Sequence, residues 1–168
     1  MCIMSSSDIV HFPHIFESLL RERNITEDDL SDFLNPDFDK LHDPALLPDI
    51  DKARDRILSA IKAGEHITIF ADYDADGIPG AVVFSDFFRR IGYKNVSFYI
   101  PHRHDEGFGM NKGAVEEILG RGAGLLVTVD CGISDVDEIA LAQEKGLDVI
   151  ITDHHEPKEI LPKAFQNL

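Results

Sequence analysis

Apolar and polar positions change their period once along this chain, near residue 66. Before that point the pattern is helical. Thr26-Glu27-Asp28-Asp29 sets a capping residue and first-turn acids at the start of a short helix, which Asn35-Pro36 stops. DPALLPDIDKARDRILSAIKAG opens as a proline-punctuated turn and becomes an amphipathic helix. Ile50, Ala53, Ile57, Ala60 and Ile61 share its apolar face, its acids read as a solvated face, and Gly64 closes it. From residue 66 onward, short continuous apolar runs alternate with helical ones. HITIFA (66–71), NVSFYI (95–100), LLVTVD (125–130) and LDVIITD (147–153) read as strands. GAVVFSDFFRRIG (80–92), NKGAVEEILGRG (111–122) and DVDEIALAQEKG (135–146) read as helices, the last capped by Ser134. Strands that are apolar throughout and joined by helices predict an α/β fold, a buried parallel sheet with right-handed crossovers and helices on both faces. The chain divides into a helical N-terminal segment, residues 1–65, and the α/β domain, residues 66–168.

Three of the four predicted strands end in aspartate: at Asp72-Tyr73-Asp74-Ala75-Asp76, at Asp130 and at Asp153. Open parallel sheets bind ligands at the carboxyl ends of their strands, so these acids converge on one edge. Crowded carboxylates raise one another's pKa values or force a site apart, and divalent cations remove that problem. Carboxylates with the imidazoles of His154 and His155 are a ligand set for Mn²⁺ or Mg²⁺ rather than for a thiolate-type zinc site. Alternation in an extended segment puts Asp72, Asp74 and Asp76 on one side, and a turn at Gly77 lets the backbone bend around the ions. Each piece alone has a blander reading. DxDxDG also suits a surface or calcium-type loop, Asp130 a helix cap, adjacent histidines a solvated turn, and Gly132 an ordinary turn glycine. Their shared placement at the ends of successive strands favours a site.

The remaining candidates carry less. His11, His14, His42 and His66 have no converging acids and read as structural or surface residues. Cys131 reads as a small buried filler rather than a ligand or nucleophile, since no CxxC or neighbouring base supports it. The loop Pro101-His102-Arg103-His104-Asp105-Glu106-Gly107-Phe108-Gly109 brings cations to the same sheet edge. It either holds a phosphate or forms an internal Arg103–Glu106 pair, and both stay open.

Composition narrows the setting. At 168 residues with 43% hydrophobic, the chain can bury a core. It has no apolar stretch of membrane-spanning length, and MCIMSSSDIV lacks the basic start and long apolar run of a signal peptide, so a cytoplasmic protein is expected. Cys2 and Cys131 suggest no disulfide scaffold. Sixteen Lys and Arg against 31 Asp and Glu give a formal charge of −15. That argues against binding a nucleic-acid backbone through broad electrostatics alone and suits a partner approached through divalent cations.

DYDADG, PHRHDEGFG, VDCGIS and DHHEP, in this order, resemble the four successive motifs of the DHH phosphoesterase superfamily. The Arg-x-x-Glu-Gly-aromatic-Gly element and the preamble FLNPDFDKLHDPALLPDIDKA are similar to its RecJ-type branch, single-strand-specific 5′→3′ exonucleases of DNA repair and recombination. The likeness spans roughly residues 20–165. It implies a two-metal phosphodiesterase, usually Mn²⁺-dependent, acting on single-stranded DNA. By that resemblance Asp74 and Asp76 each serve a different ion, Asp130 bridges the two, and His154 is a ligand of the second. Asp72 completes or orients the first site, and Asp153 and His155 lie in or beside the ligand set. Arg103 contacts phosphate, with His155 and Gly132 also facing substrate, while Asp105 or Glu106 orients the loop. Two positions depart from the pattern: Pro79 replaces a small polar residue, and Ala71 a glycine. Proteins of this type continue past DHHEP with a further acidic ligand, a DHH-associated domain and an oligonucleotide-binding domain. Their absence from this chain predicts weak activity or none in isolation. The rival readings are a phosphodiesterase of short oligonucleotides or cyclic dinucleotides, and a non-catalytic interaction protein.

Overall fold

The computed structural model describes residues 13–164 and 166–167, so Cys2 and His11 lie outside the described residues. The chain forms two compact units, Met1–Asp43 and Pro44–Leu168. In the first, α1 (Pro13–Glu22) and α2 (Glu27–Leu34) are followed by a 3₁₀ turn at Phe38–Lys40. α2 starts and stops where its sequence directs. The Thr26 hydroxyl accepts from the Asp29 N–H at 3.3 Å, the Asp29 carboxylate accepts from the Thr26 N–H at 3.4 Å, and Asn35 is the C-cap.

The second unit contains α3 (Ile50–Ala63), β1 (His66–Ala71), α4 (Gly77–Arg90), β2 (Val96–Tyr99), α5 (Lys112–Gly120), β3 (Ala123–Val129), α6 (Val136–Glu144), β4 (Asp148–Thr152) and β5 (Gln166–Asn167). All strands are parallel, in the order β2-β1-β3-β4-β5. Successive strand side chains point to opposite faces, and both faces are covered. Ile67, Ile69, Leu125, Val127 and Ile150 pack with Ala53 and Ala60 of α3 and Ala81 and Phe88 of α4. Phe70, Leu126, Val149 and Ile151 pack with Val115 and Ile118 of α5 and Ile139 and Ala142 of α6. Double-sided burial is why these strands read as unbroken apolar runs. Each fully buried Ile, Leu or Phe contributes roughly 1.5–3 kcal/mol.

α3 shares the core of the sheet, and the contacts divide the chain between Asp43 and Pro44. Two details differ from the sequence expectations. The cap position of α6 falls on Asp135, not Ser134, and the Asp135 carboxylate makes no bond to its own helix. The two-residue β5 extends the sheet beyond the four strands expected. Among the described residues, no helix is long and apolar enough to cross a membrane.

Candidate metal centre

Strand order reverses direction between β1 and β3, the place where open parallel sheets hold ligands. Register decides what stands there. Ala71 pairs with Val129, and Val129 with Thr152, so the next residues on three adjacent strands are Asp72, Asp130 and Asp153. The backbone carries the ladder one step further: Asp72 N–H donates to Val129 O at 3.2 Å, and Asp130 N–H to Thr152 O at 2.9 Å.

Beyond Asp72 the chain turns instead of running on extended, which corrects the alternation expected for Asp72, Asp74 and Asp76. Asp74 Oδ1 accepts from the N–H groups of Asp76 at 2.9 Å and Gly77 at 3.1 Å. A Cβ at position 77 would stand 2.3 Å from the Asp72 carbonyl oxygen, so only glycine closes this turn. Pro79 sits in the first turn of α4, where its missing N–H is harmless. One donor atom each from Asp72, Asp74 and Asp130 lie within 4.8 Å of one another, and so do one each from Asp130, His154 and His155. Asp130 belongs to both groups. Asp76, the residue capping α4, belongs to neither.

Asp130 stands apart in both backbone and environment. Its φ of 63° is left-handed, and its side chain is buried with neither carboxylate oxygen hydrogen-bonded. His154 Nε2 approaches Oδ1 to 2.9 Å without hydrogen-bond geometry, and His155 Nδ1 lies 4.0 Å away. Burial, and then the neighbouring Asp74 carboxylate, push the Asp130 carboxyl above the ordinary range. The Asp76 and Gly77 N–H groups hold Asp74 below it.

Asp153 is engaged elsewhere. Its oxygens accept from Ile133 N–H at 3.0 Å, His155 N–H at 3.0 Å and His155 Nδ1 at 2.7 Å. Burial opposes its charge, but these donors outweigh burial and lower its pKa. In return Asp153 raises the pKa of His155 and keeps a proton on Nδ1, so that in the neutral ring Nε2 is the nitrogen with a lone pair. Asp153 thus holds the His155 ring and lies outside both groups.

The loop of residues 101–109 chooses neither of its two sequence readings outright. Arg103 makes no pair with Glu106; its guanidinium stacks over Tyr73, 5.3 Å from the ring centroid. Tyr73 in turn meets Phe108 at 5.2 Å, and Phe108 is 76% exposed. Glu106 accepts from His102 N–H at 2.6 Å, Tyr99 OH at 2.5 Å and Asn111 Nδ2 at 3.2 Å. Tyr73 went unread in the sequence, although its place between two of the acids is itself a signal. Cys131 is buried, and burial pushes its thiol far up, so it offers no thiolate. Gly132, at φ 110°, lies in the turn that follows Asp130. His66 bridges Arg121 O and the Ser97 hydroxyl at the other end of the sheet, while His14 and His42 are exposed.

Two buried carboxylate oxygens without a donor, flanked by carboxylates and imidazoles and with no thiolate, fit divalent cations of the Mn²⁺ type. Residues 66–168 match the family model described as the DHH family, N-terminal domain. The chain belongs to the DHH family. Within it, the single-stranded-DNA-specific exonuclease RecJ of Bacillus subtilis is 40% identical over 161 residues, covering 95% of this chain and 20% of that protein. A crystal structure of exonuclease RecJ bound to manganese is similar with a TM-score of 0.66 at 36% identity, over 74% of this chain and 32% of that one. RecJ from Thermus thermophilus in complex with Mn²⁺ also has a TM-score of 0.66, at 27% identity, over 88% of this chain and 20% of that one. This DHH-family chain therefore spans about a fifth of the length of the curated relative it matches.

Proposed function

We propose that this DHH-family domain is the metal-bearing part of a phosphodiesterase that degrades single-stranded DNA from the 5′ end, as a RecJ-type exonuclease of repair and recombination. The observation that carries this reading is Asp130, one buried carboxylate shared by two donor groups at the switch point of the sheet. Its relatives' names supply the substrate, and two of their structures hold manganese.

Asp72, Asp74 and Asp130 would hold one Mn²⁺, and Asp130, His154 and His155 the other. When bound, such ions supply an activated water and neutralise charge at the phosphate. The chain's own residues do the rest. Asp153 keeps the His155 ring turned and its Nδ1 protonated. Arg103, stacked but not ion-paired, offers its N–H edge to a phosphate, and exposed Phe108 beside it offers a face to a base. An excess of acids makes DNA binding depend on the cations.

Calorimetric titration with Mn²⁺, run on this chain and on Asp130→Ala, tests the reading, together with cleavage of 5′-labelled single-stranded DNA. Loss of a shared ligand should weaken Mn²⁺ binding by at least about 100-fold and remove any cleavage. Unchanged binding in Asp130→Ala, or no binding by either protein, overturns it. Hydrolysis of dinucleotides faster than of long strands would assign the short-oligonucleotide activity instead.

A further inference from the structure

We propose that Asp135 is a positioning residue that fixes the Arg103–Phe108 loop relative to the metal centre. The proposal rests on the function given above and adds a residue to it.

Asp135 occupies the cap position of α6 yet makes no bond to that helix. Its carboxylate instead reaches across the chain to accept from the Met110 N–H at 2.8 Å. A second observation locks the same contact. Gly109 has φ 71°, and a Cβ there would stand 2.8 and 2.9 Å from the two Asp135 carboxylate oxygens. The carboxylate thus fills the space that any other residue at 109 would occupy. The start of the loop is tied by a second acid, since Glu106 accepts from the His102 N–H and the Tyr99 hydroxyl. Arg103 and Phe108 lie between or next to these two anchors.

The other side of Asp135 explains why its position matters. It ends the turn that Asp130 begins, and that turn is braced both internally and against the ends of β3 and β4. Thr128 Oγ1 donates to Cys131 O at 2.7 Å, Ile133 N–H to Asp153 at 3.0 Å, and Asp135 N–H to Gly132 O at 3.0 Å. One rigid turn therefore carries the shared metal carboxylate at its start and the loop anchor at its end. The distance from the ions to Arg103 is set through it.

The test compares wild type, Asp135→Ala, Asp135→Asn, Arg103→Ala and the Asp135→Ala/Arg103→Ala double variant. Mn²⁺ affinity is read by calorimetry, and affinity for a 5′-phosphorylated oligodeoxynucleotide in Mn²⁺ by fluorescence anisotropy. Asp135→Ala should leave Mn²⁺ affinity within about twofold and weaken the oligonucleotide by about 10- to 100-fold, the upper end being what an ångström of misplacement can cost. Asp135→Asn, whose Oδ1 still accepts from Met110, should restore most of the loss. The double variant should lose less than the sum of the two single losses, because Asp135 acts through the loop that carries Arg103. Gly109→Ala, which drives a Cβ into the carboxylate, should reproduce the Asp135→Ala result and carries the test if that variant does not fold. Full oligonucleotide affinity in Asp135→Ala, or additive losses in the double variant, overturns the proposal while leaving the proposed function standing. A wild type that binds Mn²⁺ but no oligonucleotide overturns both.

Discussion

The two ends of one sheet treat charge in opposite ways. At the amino ends of β1, β3 and β4, Arg56 reaches from α3 to Glu65 and Asp148, each at 2.7 Å, and to the Gly124 carbonyl at 3.4 Å. Its side chain is 13% exposed and its hydrogen-bonding groups are well used. At the carboxyl ends of the same strands stand Asp72, Asp130 and Asp153. Among the described residues no lysine or arginine pairs with Asp72, Asp74 or Asp130, and both Asp130 oxygens lack a donor. The fold supplies its own counter-charge where it ties strands together and omits it where a ligand would bring one. An acid is thus structural or functional according to what its neighbours leave undone.

The strongest way to break this comparison is Asp130→Asn. It should weaken Mn²⁺ by about 100-fold or more, yet stabilise the metal-free protein by about 1 kcal/mol, because a buried, unpartnered charge is gone. Urea melts in chelator read the second effect. The sign with pH follows from the raised Asp130 pKa. An acid whose folded value is raised lowers stability while ionised, fully above the folded value and progressively less as pH falls through it toward the ordinary carboxylate range. The gap between wild type and variant should therefore close on acidification. A metal-free wild type more stable than the variant at neutral pH would end the contrast.

Arg56→Ala probes the opposite end. It leaves two acids without their partner, and with those acids 31% and 41% exposed the loss should be about 2 kcal/mol, below the range for a fully buried pair. Denaturant melts should show it, while Mn²⁺ affinity stays within about twofold. A large fall in Mn²⁺ affinity would mean that the two ends are not independent.

The smallest effect sharpens the role of Asp153. Its hydrogen bond raises the His155 pKa above the usual 6.5, so Asp153→Asn should return the His155 midpoint toward that value in an NMR titration. The pair stabilises the fold fully below the unfolded histidine value, and the contribution is lost as pH rises through the folded value. An unmoved midpoint would assign the shift to Asp130 or Asp72 instead.

Much of this contrast was legible in the sequence, and the gaps have physical causes. Strands buried on both faces must be apolar throughout, so β1, β3 and β4 could be read within a residue or two, and their terminal acids with them. The side assigned to Asp76 was lost because Asp74 bonds its own backbone two and three residues on, turning a segment that simple alternation treats as straight. The Arg56 clamp leaves no mark in the helical pattern, because its partners lie 9 and 92 residues away. Spacing reveals only that Asp153 ends a strand, whereas its hydrogen bonds turn it toward Ile133 and His155. β5, the pair Gln166–Asn167, carries no apolar run to mark it.

Position 130 is also the point at which this fold could lose its chemistry most quietly. A left-handed φ of 63° is readily adopted by glycine, asparagine and aspartate, and of these aspartate alone brings a charge. A single change to either neutral residue would leave the ladder, the core and the Arg56 clamp in place. Descendants of such a domain could keep every visible mark of their ancestry while lacking the shared carboxylate, and one codon would separate the two.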